Sequence, residues 1–332
     1  MQRTTKTELA LAICHLTFLN SNEKKFLFNS LQNVSQLKEL KAEELSKLLK
    51  RNIRTKDGLN KDFEKIVENC FKIMAVYKIE TCFIEDEKYP ALLKEIFDPP
   101  FMIFYRGNIE CLQQKCFAMV GTRRATASGL KNAFNIANIL AKNGVTVVSG
   151  LALGIDTASH KGAINAILQA NLPNLQNQTN AKLNQNQNLT ENIGKTVAVL
   201  ACGIENIYPA INKKLALQIL QNGGCILSEY APGEPAYTWT FPARNRIISA
   251  LSQATIVVQA PAGSGALITA DFALEQGRDL YFSSEALKYP EKLNAKANGE
   301  KLGEKSKKRS VQNYIEEGAT IIQSEEEILN FV

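Results

Sequence analysis

The chain has little of the chemistry that metal sites and many enzymes need. Its 332 residues include two histidines, one tryptophan and seven cysteines, an odd number at irregular spacings without a C-x-x-C pair. Cys111 and Cys116 form the only close cysteine pair, and the two histidines do not complete a regular zinc spacing around it. We therefore expect no metal site, and the cysteine usage indicates a reduced, cytoplasmic protein.

Long apolar runs are also missing. None reaches the ~18 residues that a membrane-spanning helix needs, so no membrane partner is expected. The stretch Leu9–Leu19 follows two basic residues as in a signal peptide, but Glu8 opens it and no small-x-small cleavage site follows. This pattern predicts a buried helix.

The overall composition is that of a globular protein. Hydrophobic residues make up 45% and charged residues 22% of the chain, which excludes wholesale disorder. The length predicts two domains. The net charge is +6, and residues 118–284 alone carry +4, so a polyanion is a candidate partner.

Two domains differ in their patterns. Residues 1–78 place leucines and isoleucines at helical spacing, as at Leu9, Ile13 and Leu16, and predict a small all-helical domain of about four helices. Residues 79–332 alternate short apolar runs, such as Phe117–Val120 and Thr196–Leu200, with helical patterns. This alternation predicts an α/β domain with a doubly wound, mostly parallel sheet.

Two segments interrupt the α/β pattern. Residues 169–194 form an Asn/Gln-rich insertion, with 13 Asn or Gln among residues 169–192. Residues 288–309 form a Lys-rich loop with a net charge of +5. Both compositions are typical of solvated loops.

Glycine-rich loops follow four of the predicted strands. They are Gly121–Arg124, Gly150–Asp156, Ala201–Gly203 and Ala260–Gly265. The carboxyl ends of parallel strands share one edge of a sheet, where glycine lets the backbone approach a ligand and helix starts attract anions. The loops thus predict a phosphate-binding crevice. G-x-G-x-x-G is absent after Val120 and no G-K-[ST] follows any of the four glycine loops, so no nucleotide cofactor is expected.

An aromatic segment precedes two arginines, Arg244 and Arg246. In an extended chain Tyr237, Trp239 and Phe241 point to the same side, and such a row beside arginines is typical of single-stranded nucleic acid binding. Since the two arginines lie ~200° apart on an ideal helix, one of them should face the ligand. The alternative is that the rings close a core and the arginines form internal ion pairs.

Catalytic motifs are missing from the central block. His160 is its only histidine, Asp156 is predicted to cap a helix, and no H-E-x-x-H, nucleophile elbow or paired carboxylate occurs. The crevice is therefore predicted to bind its ligand without cleaving it.

The sequence resembles the DprA/Smf family of DNA-processing proteins between about Tyr89 and Gly318. The resemblance is carried by Tyr105-Arg-Gly107, Val120-Gly-Thr-Arg-Arg-Ala-Thr126, Ser149-Gly-Leu-Ala-Leu-Gly-Ile-Asp156, Ser228-Glu-Tyr230, Phe241-Pro-Ala-Arg-Asn-Arg-Ile-Ile248 and Gly263-Ser-Gly-Ala-Leu-Ile-Thr-Ala270.

The resemblance implies an extended Rossmann domain that works as a homodimer. Such a protein binds and protects single-stranded DNA, and it loads the RecA recombinase onto the strand during natural transformation. Arg123 and Arg246 would contact phosphate, and Phe241 would stack a base. The implied DNA-binding residues are Arg123, Arg124, Gly150, Lys161, Phe241, Arg244, Asn245, Arg246, Gly263 and Ser264.

The chain departs from the family pattern at several points. Gly263 and Thr238 stand where relatives often carry arginine or lysine, which removes positive charge from the implied groove. The helical region lacks the Gly-rich hairpin turn of many relatives. The insertion and the Lys-rich loop are not family features, and little chain follows Ala319 for a winged-helix tail.

Two other functions remain open. Pro261–Gly265 resembles the glycine loop of nucleoside-monophosphate phosphoribohydrolases, but their catalytic Glu has no counterpart before Asp271. Alternatively, the Lys-rich loop alone could bind polyanions nonspecifically.

Overall fold

The computed structural model describes residues 3–53, 61–176, 193–289 and 309–332. The central part of the Asn/Gln-rich insertion (177–192) and nearly all of the Lys-rich loop (290–308) lie outside the described residues.

Helices occupy the described part of residues 3–78. They are α1 (Thr5–Cys14), α2 (Ser21–Ser30), α3 (Val34–Glu39), α4 (Ala42–Leu48) and α5 (Phe63–Tyr77). The described region thus has five helices where about four were expected, because α3 and α4 are short and separately capped. Helix α1 is buried from Leu9 to Cys14, which accounts for its almost uninterrupted apolar sequence.

A nine-stranded sheet follows. Its strands are β1 (Glu80–Phe83), β2 (Met102–Gly107), β3 (Cys116–Val120), β4 (Thr146–Ser149), β5 (Thr196–Val199), β6 (Cys225–Ser228), β7 (Ala254–Val257), β8 (Asp279–Ser283) and β9 (Thr320–Ile322). The spatial order is β1-β2-β6-β5-β4-β3-β7-β8-β9. The β1–β2 and β2–β6 pairs are antiparallel, and all other pairs are parallel.

Helices alternate with these strands, as parallel connections require. They are α6 (Ala91–Lys94), α7 (Ala127–Lys142), α8 (Ile155–Gln176), α9 (Lys213–Gln221), α10 (Thr240–Ala250), α11 (Gly265–Glu275), α12 (Ser284–Leu287) and α13 (Val311–Glu316). Short 3₁₀ turns lie at Ile109–Gln113, Ala210–Asn212 and Glu326–Phe331.

Both faces of the sheet are covered. On β3, Phe117 and Met119 point into the core formed with α7 and α8, whereas Ala118 and Val120 point into the core formed with α10 and α11. Burial on both faces explains why the strands are apolar throughout instead of alternating with polar residues. The predicted doubly wound α/β fold with a preceding helical region is confirmed.

The helical region packs against one face of this sheet. Its buried side chains share a core with Met102 and Phe104 of β2. Polar contacts also join the two parts, since His15 Nδ1 lies 2.5 Å from Glu234 Oε1 and the backbone N–H of Ser21 donates to Asp98. In the part of the chain that the structure describes, no helix is both long and apolar enough to cross a bilayer.

Candidate nucleic-acid interface

The loops after β3, β4 and β7 meet at the carboxyl edge of the sheet. The N–H of Thr122, after β3, donates to the carbonyl of Gln259, after β7, at 2.7 Å. The N–H of Ile155, at the start of α8, donates to the carbonyl of Thr122 at 3.3 Å. These backbone bonds fix the three loops relative to one another, as the pattern of glycines predicted.

The β4–α8 loop approaches the β3 loop very closely. Gly154 has a φ of +76°, and a Cβ at this position would lie 2.3 Å from the carbonyl oxygen of Thr122, so only glycine fits here. Leu151 also has a positive φ of 60° although its side chain is buried. Asn212 holds this conformation by donating to the Leu151 carbonyl at 2.8 Å. A bulky residue in this region of backbone space marks a strained loop, which is common at binding sites.

Arg123 and Phe241 lie together at this edge. The guanidinium carbon of Arg123 is 5.5 Å from the centre of the Phe241 ring, within cation–π range. Tyr208 also contacts Phe241, with its ring centre 5.4 Å from that of Phe241. The three side chains open onto a small pocket of about 70 Å³, here called the Arg123 pocket, which is lined by Arg123, Gly150, Ala152, Leu153, Tyr208, Pro209, Phe241 and Arg244.

Arg123 is available to a ligand. Its side chain is exposed, and so is that of Arg124. Neither forms an ion pair with any residue that the structure describes. An exposed, unpaired guanidinium beside a half-exposed ring is suited to hold a phosphate next to a stacked base.

Arg244 forms the buried wall of the Arg123 pocket. Its guanidinium donates to the carbonyl of Gly150 at 2.8 Å and to the carbonyl of Val199. A Cβ on Gly150 would lie 2.7 Å from the Arg244 guanidinium, which explains the glycine. Burial lowers the pKa of Arg244, and the charge of Asp156 opposes that effect.

Asp156 supports the same loop. The prediction that it caps α8 is wrong, since it lies within the first turn of that helix. Its carboxylate accepts a hydrogen bond from the N–H of Ala152 at 3.3 Å and so holds the strained loop. Burial raises its pKa, which Arg244 and hydrogen bonds to the loop partly offset.

Arg246 and Asn245 are not brought to the Arg123 pocket. Arg246 points to the opposite side of α10, where it forms two bonds of 2.9 and 2.7 Å to the Glu229 carboxylate and approaches Asp98 at 3.4 Å. Asn245 is buried and donates to the Gly265 carbonyl at 2.9 Å. Both side chains therefore connect parts of the fold, and the internal ion pair considered as an alternative from the sequence is present for Arg246.

The other predicted residues do not line the Arg123 pocket. Lys161 is exposed on α8 one turn after Thr157, whose hydroxyl donates to the carbonyl of Ala152 in the pocket wall. Gly263 and Ser264 lie in the loop that opens α11, where the Gly263 N–H is bound to the Arg309 carbonyl. The Ser264 hydroxyl has no partner among the described residues.

The aromatic segment does not form a single row. Trp239 already has helical backbone angles and Thr240 begins α10, so the extended conformation assumed from the sequence is wrong at this point. Tyr237 and Trp239 stack on each other with ring centres 5.9 Å apart, while Phe241 turns towards Arg123.

Four pocket residues were missed from the sequence: Ala152, Leu153, Tyr208 and Pro209. Leu153 lies in the Gly150–Asp156 loop, which was interpreted from its glycines alone. Tyr208 and Pro209 follow the Gly203 loop, and a Tyr-Pro dipeptide after a strand end is the signal that could have identified them.

The surroundings of the pocket offer little catalytic chemistry. Among the described residues, no group of three or more His, Cys, Asp or Glu is placed to hold a metal ion. Asp271, the first acid after the glycine loop of α11, is bound by Arg309 and the Tyr314 hydroxyl, each at 2.7 Å. This engagement counts against the phosphoribohydrolase alternative.

His160 is buried beneath the sheet edge and not in the pocket. Its Nδ1 lies 2.7 Å from the Thr196 hydroxyl, and its Nε2 has no partner among the described residues. Burial lowers its pKa from 6.5 to about 3. The imidazole is therefore neutral in the folded protein at any pH above about 3.

This burial predicts a specific acid sensitivity. Below pH 6.5 the unfolded chain binds a proton at His160 that the folded chain rejects, so stability falls as the pH is lowered. The loss should approach ~1.4 kcal/mol per pH unit, which amounts to about 1.6 kcal/mol between pH 6.5 and 5 because the slope is only half as steep at pH 6.5. In urea unfolding, His160→Asn should remove this part of the pH dependence, so the stability gap between the two proteins should narrow on acidification. Parallel curves would contradict the assignment; His15 is present in both proteins and cancels.

Comparison with known proteins places these residues in context. The family model described as "DNA recombination-mediator protein A" matches residues 80–332. Protein Smf of Borreliella burgdorferi is 34% identical over 274 residues, which cover 82% of this chain and 77% of that protein.

Two solved structures are similar as well. The X-ray structure of DNA processing protein A (DprA) from Streptococcus pneumoniae matches with a TM-score of 0.64 at 29% identity, covering 99% of this chain and 98% of that one. DNA processing protein A from Helicobacter pylori, whose structure concerns its single-stranded DNA binding mode, matches with a TM-score of 0.56 at 25% identity, covering 77% of this chain and 95% of that one.

Proposed function

Because the chain belongs to the DNA recombination-mediator protein A family, we propose that it binds single-stranded DNA at the Arg123 pocket without consuming it. The match to this family confirms the resemblance found in the sequence motifs. The finer role proposed with it is to protect the strand in the cytoplasm and to load a RecA-type recombinase onto it during DNA uptake.

One observation carries this proposal: Arg123, exposed and without an ion-pair partner among the described residues, lies over the half-buried Phe241 ring at the glycine-lined sheet edge. A guanidinium neutralises a phosphate, and a ring accepts the face of the adjacent base. Duplex bases already stack on one another, so the ring favours unpaired strands. A single-stranded oligonucleotide should therefore bind at least about tenfold more tightly than its duplex at physiological salt.

The proposed partners beyond DNA are a second copy of the chain and the recombinase. Both follow from the family and not from a particular surface of the described residues. Light scattering after gel filtration tests the homodimer, and filament assembly by the recombinase on DNA coated with this protein tests the loading role.

The sharpest test separates the two parts of the pocket. Each neutralised phosphate contributes about −0.7 to the slope of log affinity against log salt on single strands. Arg123→Ala should weaken binding and flatten this slope by about that amount. Phe241→Ala should weaken binding by about 1–3 kcal/mol, the worth of one stacked base, with the slope unchanged.

A matched control removes one positive charge at the opposite edge of the sheet. Lys142 is exposed at the carboxyl end of α7, which runs back from the pocket. Lys142→Ala should leave both affinity and slope as in the unaltered protein, measured by anisotropy of a labelled oligonucleotide over a salt series. Equal losses in the Arg123 and Lys142 variants would show that binding is a property of net charge and not of the pocket.

A further inference from the structure

A larger cavity lies on the other side of α10, between the helical region and the sheet. It encloses about 260 Å³ and is here called the helix–sheet cavity. Lys24 of α2 borders it on one side, and Trp239 and Arg246 of the α10 segment border it on the other. It is distinct from the Arg123 pocket, with which it shares no lining residue.

The charges around the helix–sheet cavity balance. Two cations, Lys24 and Arg246, face two carboxylates, Asp98 and Glu229. Glu229 and Asp98 already occupy the Arg246 guanidinium. A cavity with no net charge does not suit a phosphate, but it suits an uncharged ligand with polar edges.

The wall of the cavity is aromatic and exposed. Trp239 is 48% exposed although it is the largest side chain of the segment, and Tyr237, 44% exposed, stacks on it with an angle of only 7° between the rings. Tyr230 is buried, meets Trp239 edge to face at 6.2 Å, and its hydroxyl has no hydrogen-bond partner among the described residues. An indole face beside a tyrosine hydroxyl that lines the cavity is suited to a planar ring with hydrogen-bonding edges.

This wall begins where the Arg123 pocket ends. Trp239 and Phe241 are two residues apart at the start of α10, and each lines a different one of the two openings. A strand with one base on Phe241 therefore has a second aromatic platform within reach, on the far side of the same helix start.

We propose that the helix–sheet cavity is a second subsite for an unpaired nucleobase of the bound strand. The base stacks on Trp239 and directs its polar edge towards the Tyr230 hydroxyl, and Lys24 makes the helical region part of the binding surface. This inference rests on the proposed function, which supplies the strand.

The chain itself provides the probe. Trp239 is the only tryptophan among the 332 residues, so intrinsic indole fluorescence reports on this cavity alone. Adding an oligo(dT) should quench the emission along the same isotherm that the anisotropy of a labelled oligonucleotide follows. An oligonucleotide of equal length with abasic sugars, which keeps the phosphates, should leave the emission unchanged even at saturation.

The outcomes separate the two proposals. If anisotropy shows no binding, the proposed function fails. If the strand binds but the emission does not change, or if the abasic strand quenches equally, the second subsite is refuted while the proposed function stands.

Two variants test whether the base enters the cavity. Trp239→Ala should weaken binding about tenfold, and Trp239→Phe should restore most of the affinity, because stacking needs only a ring. Tyr230→Phe removes one hydroxyl and should weaken binding of the base-bearing strand roughly fivefold, without affecting the abasic strand. Quenching that persists with Tyr230→Phe at full affinity would place the base outside the cavity and overturn the assignment.

Discussion

Replacing Arg244 with methionine should cost about 3–5 kcal/mol of stability, since it removes one partner from a buried arrangement of charges. Methionine fills much of the same volume but leaves the carbonyls of Gly150 and Val199 without their donor. It also removes the cation that most opposes the raised pKa of the buried Asp156 carboxylate. Urea unfolding at pH 7 should show the loss directly.

The pH dependence identifies the cause. Burial already raises the pKa of Asp156, and Arg244 opposes this shift. Without Arg244 the pKa should rise further, so the folded variant holds a proton that the unfolded chain releases more readily. Its deficit relative to the unaltered protein should therefore be largest at neutral pH and shrink towards pH 5.

A second substitution provides the control for this interpretation. Asp156→Asn in the Arg244→Met background removes the uncompensated charge and should recover part of the stability at pH 7. A deficit that is independent of pH and unaffected by Asp156→Asn would mean that lost packing, and not the unpaired carboxylate, destabilises the variant.

The sheet and the existence of its binding edge could be predicted from local sequence. Strands buried on both faces read as apolar runs, and the glycines after β3, β4 and β7 follow from backbone crowding such as that between Gly154 and Thr122. β9 was missed because three residues, Thr320–Ile322, give too short a pattern to distinguish from a loop.

Contacts between distant residues could not be predicted. The bond between Arg246 and Asp98 spans 148 positions, and that between His15 and Glu234 spans 219. No local sequence pattern identifies such partners. An arginine in a basic-aromatic motif therefore has the same local sequence whether it binds a phosphate or a carboxylate of the protein itself. The aromatic segment was expected to be extended as far as Phe241. Helix α10 already begins at Thr240, so Phe241 lies in the helix and not in line with Tyr237 and Trp239.

The role that the motif implies for Arg246 differs from the contacts that the structure shows. The motif implies a phosphate contact, whereas the structure holds the guanidinium between Glu229 and Asp98. Burial alone would lower the pKa of Arg246, but the charge of Glu229 and the hydrogen bonds to it, together with Asp98, raise it above its usual value. The side chain is thus engaged in the absence of DNA.

Arg246→Met should therefore have the opposite effects to Arg123→Ala: it should lower stability and leave the salt slope of DNA binding unchanged. It should destabilise the fold by about 3 kcal/mol, because the largely buried carboxylate of Glu229 loses its cation, while the salt slope for single-stranded DNA stays within about 0.2 of the unaltered protein. Glu229→Gln in the same background should restore part of the stability, since a neutral amide needs no cation. A slope flattened by about 0.7 with stability intact would instead mean that Arg246 leaves Glu229 for phosphate when DNA binds, which would add a phosphate contact on the side of α10 away from the Arg123 pocket.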